Sequence, residues 1–202
     1  MIVRFVLASA SPARLKTLRG AGVEPEVIVS GVDESAIGGD TPGEHVLALA
    51  RAKAETVAAG LSPNGPTLVL GCDSMLQFEA EMLGKPGSER AAMARWLAMR
   101  GRSGVLHTGH VLLDLATGRR AERSVATTVK FADLSDAEII DYVRTGEPLA
   151  VAGAFTIDSL GGWFVESIVG DHHNVVGLSL PALRHLLLDL GYRVTDLPRR
   201  PD

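Results

Sequence analysis

The tightest constraint on the fold is an apolar run, Ile2 to Ala8, interrupted only by Arg4, that passes through Ser9-Ala10-Ser11 into Pro12. The run reads as a buried strand. Ser11 followed by Pro12 is a helix start, because the hydroxyl can cap and proline's fixed φ suits the first helical position. A strand that turns through small residues into a helix leaves several backbone N–H groups pointing into one hollow. The helix dipole adds partial positive charge there, and Arg14, one turn in, adds a full one. Such a hollow suits a phosphate. A plain helix cap at Ser11 is the competing reading, and this stretch alone admits both.

Strands and helices alternate along the rest of the chain. The first helix stops near Gly20 to Gly22, and a short strand, Glu26 to Val29, leads into the loop Gly31-Val32-Asp33-Glu34. Thr41-Pro42-Gly43-Glu44 forms a capping box that opens a helix running to about Ala59. Its apolar stripe is Val46, Leu49, Ala50 and Val57; at 100° per residue Lys53 falls within that stripe, with Arg51 and Glu55 on the opposite, solvated face. A lysine centred on a buried face either snorkels to water or meets an anion.

After a turn at Pro63 to Pro66, Thr67 to Cys72 is a second buried strand that ends on Asp73-Ser74. Met75 to Phe78 and Glu81 to Leu83 form a hairpin closing on Gly84-Lys85-Pro86-Gly87, and Ser88 caps a helix that ends before Gly101. Strands Gly104 to Leu115 and Arg119 to Phe131 pair across Thr117-Gly118, and Ser135 to Glu138 is a capping box for a helix ending at Gly146. Gly153 to Ser167 reads as short strands around Gly161-Gly162. A polar loop, Gly170 to Asn174, follows, and the last helix runs from Pro181 to Leu190. The pattern is α/β with a mixed, strongly curved sheet. The expected organisation is a single two-lobed domain over residues 1–197, with a cleft between the lobes, and a flexible tail at 198–202.

Composition sets the outer bounds. The chain has 202 residues, 46% hydrophobic and 22% charged, enough for a real core; with aromatics at 4%, that core should rest on Leu, Val and Ala. A net charge of -4 argues against coating nucleic acid, which needs a basic surface. The single cysteine, Cys72, allows no internal disulfide and fits a reducing compartment. No apolar run reaches the roughly 20 residues of a membrane span, and no signal peptide is read at the start. The expected location is cytoplasmic, with no membrane partner.

Four charged residues stand where a bland globule would not put them. Asp73 ends a buried strand, where ligands collect in open α/β sheets. Glu34 sits beside Asp33 in a glycine-flanked loop, Lys53 lies on an apolar face, and Lys85 is in a tight turn. Carboxylates can hold Mg²⁺, and cations offset charge growing on a leaving phosphate. Taken singly, Asp73 reads equally well as a turn former and Lys85 as solvated surface.

The stretches Ser9-Ala10-Ser11-Pro12-Ala13-Arg14, Asp33-Glu34, Lys53, Gly71-Cys72-Asp73-Ser74 and Gly84-Lys85-Pro86 come in an order and at spacings that resemble the Maf family. Thr127 to Phe131, Ala152 to Phe155 and Asn174 to Leu178 follow the same pattern. The resemblance implies a two-lobed fold similar to inosine triphosphatases and a homodimer. It also implies hydrolysis of nucleoside triphosphates between the α- and β-phosphates with Mg²⁺ or Mn²⁺. Carried across, Asp73 positions or deprotonates the attacking water and touches the metal, and Glu34 is a metal ligand. Lys53, Lys85 and Arg14 hold the triphosphate, Ser9 and Ser11 supply donors, Ser74 borders the substrate, and Asp158 faces the base.

Five positions depart from the common pattern. Ala13 replaces an arginine, Cys72-Asp73-Ser74 stands where Ala-Asp-Thr is common, Asp158 replaces a glutamine and Ser179 a proline. They bear on substrate choice. Cys72 is better read as packing than as a nucleophile, His107 and His110 face opposite sides of a strand, and His172-His173 form an exposed loop pair. The competing function is a non-catalytic nucleotide-binding regulator of cell division, a label the family has carried as septum-formation inhibitors.

Overall fold

The computed structural model describes residues 3–62 and 65–199. The elements are β1 (Arg4–Ala8), α1 (Pro12–Gly20), β2 (Glu26–Val27), α2 (Pro42–Ala59), β3 (Thr67–Phe78), β4 (Glu81–Leu83), α3 (Glu89–Met99), β5 (Ser103–Asp114), β6 (Arg120–Phe131), α4 (Asp136–Arg144), β7 (Val165–Val169), α5 (His172–Val176) and α6 (Leu180–Leu190). Seven strands form one mixed sheet in the order β2-β1-β3-β5-β6-β7, with β4 also on β3. β1 pairs parallel with β2 and β3, whereas β3–β4 and β6–β7 are antiparallel. The chain divides into two compact units, one of residues 1–73, 108–125 and 177–202, the other of residues 74–107 and 126–176. Among the described residues no helix is long and apolar enough to cross a membrane.

The first unit is built on period-2 alternation. Phe5 and Leu7 of β1, with Leu68, Leu70 and Cys72 of β3, pack against Leu18 of α1 and Leu183, Leu186, Leu187 and Leu190 of α6. Val6, Ala8 and Val69 point the other way, onto Ala50, Ala54 and Val57 of α2. Strands covered on both faces have no polar side to show, which is why β1 reads as an unbroken apolar run. α2 lies unusually close to the sheet. A Cβ on Gly71 would stand 2.1 Å from the Ala50 carbonyl oxygen, and one on Gly109 would stand 2.3 Å from that of Val46.

The second unit has a different core. Trp96 of α3 meets Phe131, Tyr142 and Phe164 edge-on at centroid distances of 5.6, 5.5 and 6.0 Å, and Phe131 meets Phe155 at 5.0 Å. The expected Leu-Val-Ala core holds for the first unit only. The scarce rings gather in the second, and edge-to-face pairs add to what burial alone gives.

Most local expectations hold. Both capping boxes, Thr41 with Glu44 and Ser135 with Glu138, are formed, and Gly191 ends α6 in the left-handed region at φ 88°. Others need correction. The strand after Glu26 stops at Val27. β3 does not end on Asp73-Ser74 but runs on to Phe78, exchanging β1, its partner as far as Gly71, for β4 from Leu76. Arg51 and Glu55 are not simply solvated, since they pair with Glu122 and Arg120 of β6. The segment expected as short strands over 153–167 holds 3-10 turns at Ala152–Ala154 and Leu160–Phe164 with irregular chain between them, and becomes strand only from Val165, in β7. His172-His173 lie on the short helix α5 instead of a loop, although both remain exposed. Pro198 and Arg199 are not frayed: the Glu24 N–H donates to the Pro198 carbonyl, and Val23 bridges Arg199. Residues 200–202 of the expected tail, Ile2 of the first run, and Pro63 and Asn64 of the turn lie outside the described residues.

The close seating of α2 gives a stability test. Gly71→Ala should cost about 1–3 kcal/mol through overpacking, lowering the melting temperature by roughly 2–4 °C per kcal/mol in a chain of this size. Gly38→Ala, where a Cβ would meet nothing within 4 Å, should melt with the parent protein. Equal melting of the two variants would show that α2 can lift from the sheet without cost.

Candidate active site

The centre of the site follows from α2's closeness. Gly71 and Asp73 share one face of β3 by period-2 alternation, the face that α2 covers. Lys53 is one residue before Ala54, which packs against Gly71, so its ammonium is delivered onto Asp73. Lys53 Nζ lies 2.6 Å from Asp73 Oδ1 and 2.7 Å from Glu34 Oε1. The Lys53 and Asp73 side chains are only 12% and 10% exposed, that of Glu34 is 52% exposed. Of the two readings open for Lys53, the structure shows the ionic one: an ammonium on a buried face, compensated by two carboxylates.

Neighbouring acids divide the work in the loop after β2. Asp33 Oδ1 accepts the Ser35 N–H at 3.0 Å, and bonds from the Ser35 backbone and side chain lower the Asp33 carboxyl below its ordinary range. That local turn leaves Glu34 directed at Lys53. Asp73 stands in the interval of β3 that neither β1 nor β4 covers, just past the Ala8–Gly71 pair that ends the parallel register. Ser9 leaves β1 at the same level. Both residues therefore sit at the carboxyl end of parallel strands, the usual place for ligands in such sheets.

The start of α1 is more occupied than the sequence suggests. Ser11 Oγ accepts the Arg14 N–H at a long 3.5 Å, so the capping reading holds. Ser9 Oγ accepts the Ser11 N–H at 3.2 Å and Arg14 Nη1 at 3.0 Å. A hydroxyl has two acceptor sites and one proton; with both acceptor sites engaged, Ser9 has its proton left to donate. Arg14, expected to reach the phosphates directly, is 8% exposed, and its Nε also donates to the Gly177 carbonyl at 2.7 Å. Two residues on, the Ser179 N–H donates to Nε2 of fully buried His110 at 2.9 Å, and His110 Nδ1 is 3.3 Å from the Arg123 carbonyl. A proline at 179 would lack that N–H. His110 was dismissible from sequence because its partner is 69 residues away.

The remaining candidates belong to the second unit. Ser74 follows Asp73 on the opposite face of β3 and is half-buried. Lys85 is exposed on a turn whose Gly84 carbonyl accepts Arg95 Nη1 at 2.6 Å and the Gly153 N–H at 3.1 Å. Asp158 is exposed in the segment between the two 3-10 turns. Cys72 is buried among aliphatic side chains, and burial lifts its thiol to about 11, which suits packing and not nucleophilic attack. His107 bonds Gln77 at 3.0 Å, and burial lowers its imidazole.

The donor chemistry fits a hard divalent cation. Two carboxylates already converge on one positive centre, and Mg²⁺ or Mn²⁺ commonly takes one or two carboxylates, completing its shell with water and phosphate oxygens. Among the described residues no group of three or more His, Cys, Asp or Glu gathers in metal-holding geometry.

The chain matches the family described as Maf-like protein over residues 4–190. A nucleoside triphosphate pyrophosphatase of Salinispora tropica is 59% identical over 197 residues, spanning 96% of this chain and 87% of its own. One from Streptomyces coelicolor is 55% identical over 194 residues, spanning 96% and 94%. Another, from Thermosynechococcus vestitus, is 54% identical over 199 residues, spanning 98% and 100%. Among solved structures, the Staphylococcus aureus Ham1 protein superposes with a TM-score of 0.41 at 19% identity over 64% of this chain and 72% of that one, too distant to support a conclusion. With a family match running from residue 4 to residue 190 and relatives more than half identical along nearly the whole chain, this protein belongs to the Maf-like protein family.

Proposed function

We propose that this chain is a nucleoside triphosphate pyrophosphatase, which cleaves the α–β phosphate bond to give a nucleoside monophosphate and pyrophosphate. The observation that carries the reading is the Lys53 ammonium held between the Asp73 and Glu34 carboxylates at the carboxyl end of the parallel strands. The pyrophosphatase relatives above support it.

In this reading Asp73 accepts a proton from water, whose oxygen bonds to the α-phosphorus while the bridging oxygen departs on pyrophosphate. Lys53 orients the Asp73 carboxylate through Oδ1. Lys53, Lys85, Ser9, Ser11 and Ser74 hold the triphosphate. Arg14 contributes charge from beneath and fixes Ser9 with its proton outward. Asp73 and Glu34 would hold Mg²⁺ or Mn²⁺. Such an ion, when bound, offsets the negative charge of the phosphates. Asp158 reads the base edge. An ionised carboxylate only accepts hydrogen bonds, so it suits the amino group of cytosine or the N1–H and amino group of guanine better than uracil or thymine. CTP or a guanine nucleotide is therefore the expected substrate. The buried lone cysteine fits a cytoplasmic setting, and sedimentation of the purified chain tests the homodimer that the family resemblance implies.

Asp73→Asn should lower kcat by about 10²–10⁴-fold while nucleotide still binds, because an amide cannot take the proton. A near-normal kcat would move the base to another residue, Glu34 first.

Lys53→Met fills the same volume but leaves Asp73 and Glu34 facing each other without a cation. Activity should collapse and the melting temperature fall, and a double-mutant cycle with Asp73→Asn should show a coupling of about 0.5–3 kcal/mol in stability. Independent effects would mean that the contact contributes nothing to the fold.

Chromatography of the products should show monophosphate and pyrophosphate, with turnover abolished by a chelator and restored by Mg²⁺ or Mn²⁺. Orthophosphate as first product would overturn the bond assignment. Nucleotide binding without any turnover would support the regulatory alternative.

A further inference from the structure

We propose that Glu147 is the positioning residue for base recognition: its carboxylate gathers the Thr156–Gly161 segment and so fixes where Asp158 stands. The inference rests on the reading that Asp158 contacts the base.

Glu147 lies just after α4, between Gly146 in the left-handed region at φ 77° and buried Pro148, with its own N–H donating to Thr145 Oγ1 at 3.2 Å. Its Oε1 accepts Tyr142 Oη at 2.9 Å, Thr156 Oγ1 at 2.6 Å and the Gly161 N–H at 2.9 Å; Oε2 accepts the Leu160 N–H at 3.2 Å. The bonds fall on both sides of Asp158, on Thr156 before it and on Leu160 and Gly161 after it, so the carboxylate closes the loop that presents Asp158. Burial opposes ionisation, but hydrogen bonds from Thr156, Gly161, Ser159 and Tyr142 outweigh it and hold the Glu147 carboxyl at about 2. It is an acceptor throughout the neutral range.

The loop is pinned elsewhere as well. A Cβ on Gly161 would stand 2.5 Å from Tyr142 Oη and 2.6 Å from the Thr156 carbonyl. Upstream, Trp96 Nε1 donates to the Ala154 carbonyl at 2.8 Å, and Ala154 holds φ 63°, a left-handed conformation uncommon outside glycine. Exposed Asp158, Ser159 and Leu160 thus ride on a base of buried contacts. Charge groups on an exposed loop discriminate between ligands only when the loop holds them in place, and a carboxylate with donors on both sides of Asp158 supplies that constraint without touching the phosphates.

The test measures kcat and KM for CTP, GTP, UTP and dTTP in the wild type, Asp158→Ala, Glu147→Gln, Thr156→Val and the double variant Glu147→Gln/Asp158→Ala. Asp158→Ala should reduce the kcat/KM ratio between best and worst triphosphate by about tenfold or more. Glu147→Gln should reduce the same ratio through KM, with kcat within about twofold, and the double variant should match Asp158→Ala alone. Thr156→Val, which removes a single donor and spares the carboxylate, should shift the ratio in the same direction; it decides the matter if Glu147→Gln does not fold. Unchanged selectivity in Asp158→Ala would overturn the base reading and this proposal with it. Altered selectivity in Asp158→Ala but not in Glu147→Gln or Thr156→Val would overturn this proposal alone. So would additive effects in the double variant, or a fall in kcat equal for all four substrates.

Discussion

Two missing side chains set the geometry of the first unit. Gly71 on β3 and Gly109 on β5 let the backbone of α2 approach to where any Cβ would collide with a helix carbonyl. Ala50 and Ala54 complete the flat contact. A helix held at that distance brings Lys53 down onto Asp73, and the ammonium draws Glu34 in from its loop. The ionic cluster is thus a consequence of packing, and its charges are mutually compensated where isolated ones would be costly. A lysine at the same helical position on a more distant helix would have room to reach water.

The two units solve the problem of a core differently. The first is mainly aliphatic, with Phe5 among its leucines, and layered, with α2 on one face of its strands and α1 and α6 on the other. The second gathers aromatic rings around Trp96 and ties its irregular segments through single polar anchors, Glu147 among them. Irregular backbone has amides that no ladder satisfies, and a half-buried carboxylate that accepts N–H and O–H donors from several turns substitutes for one. Regular elements carry Lys53 and Asp73 of the first unit and a loop carries Glu34, whereas turns of the second carry Lys85 and Asp158.

Features written in neighbouring residues were legible in the sequence. The capping boxes at Thr41 and Ser135, the Ser-Pro start of α1 and the hairpin at Gly118 each depend on a few adjacent positions. Lys53 stood out because helical periodicity places it on the apolar stripe. Features that depend on distant partners were not legible. Strand β3 looks finished at Asp73, since nothing local announces that β4 takes over from β1. The stretch from Gly153 to Phe164 has the composition of short strands, but left-handed Gly153 and Ala154 and the Glu147 carboxylate turn it into 3-10 turns. Arg14 reads as an open phosphate ligand until Gly177, 163 residues later, is seen to accept from it.

That last separation bears on how the protein is made. Arg14 is made long before its partner and finds its carbonyl only when Gly177 arrives, and Val23 and Glu24 meet Arg199 and Pro198 later still. A nascent chain therefore carries the turn after β1 unfinished until the segment around Gly177 has been made. Contacts this far apart in sequence slow folding, because loop closure must precede any gain from them. The turn between β1 and α1 is therefore completed only after a segment made much later has reached it.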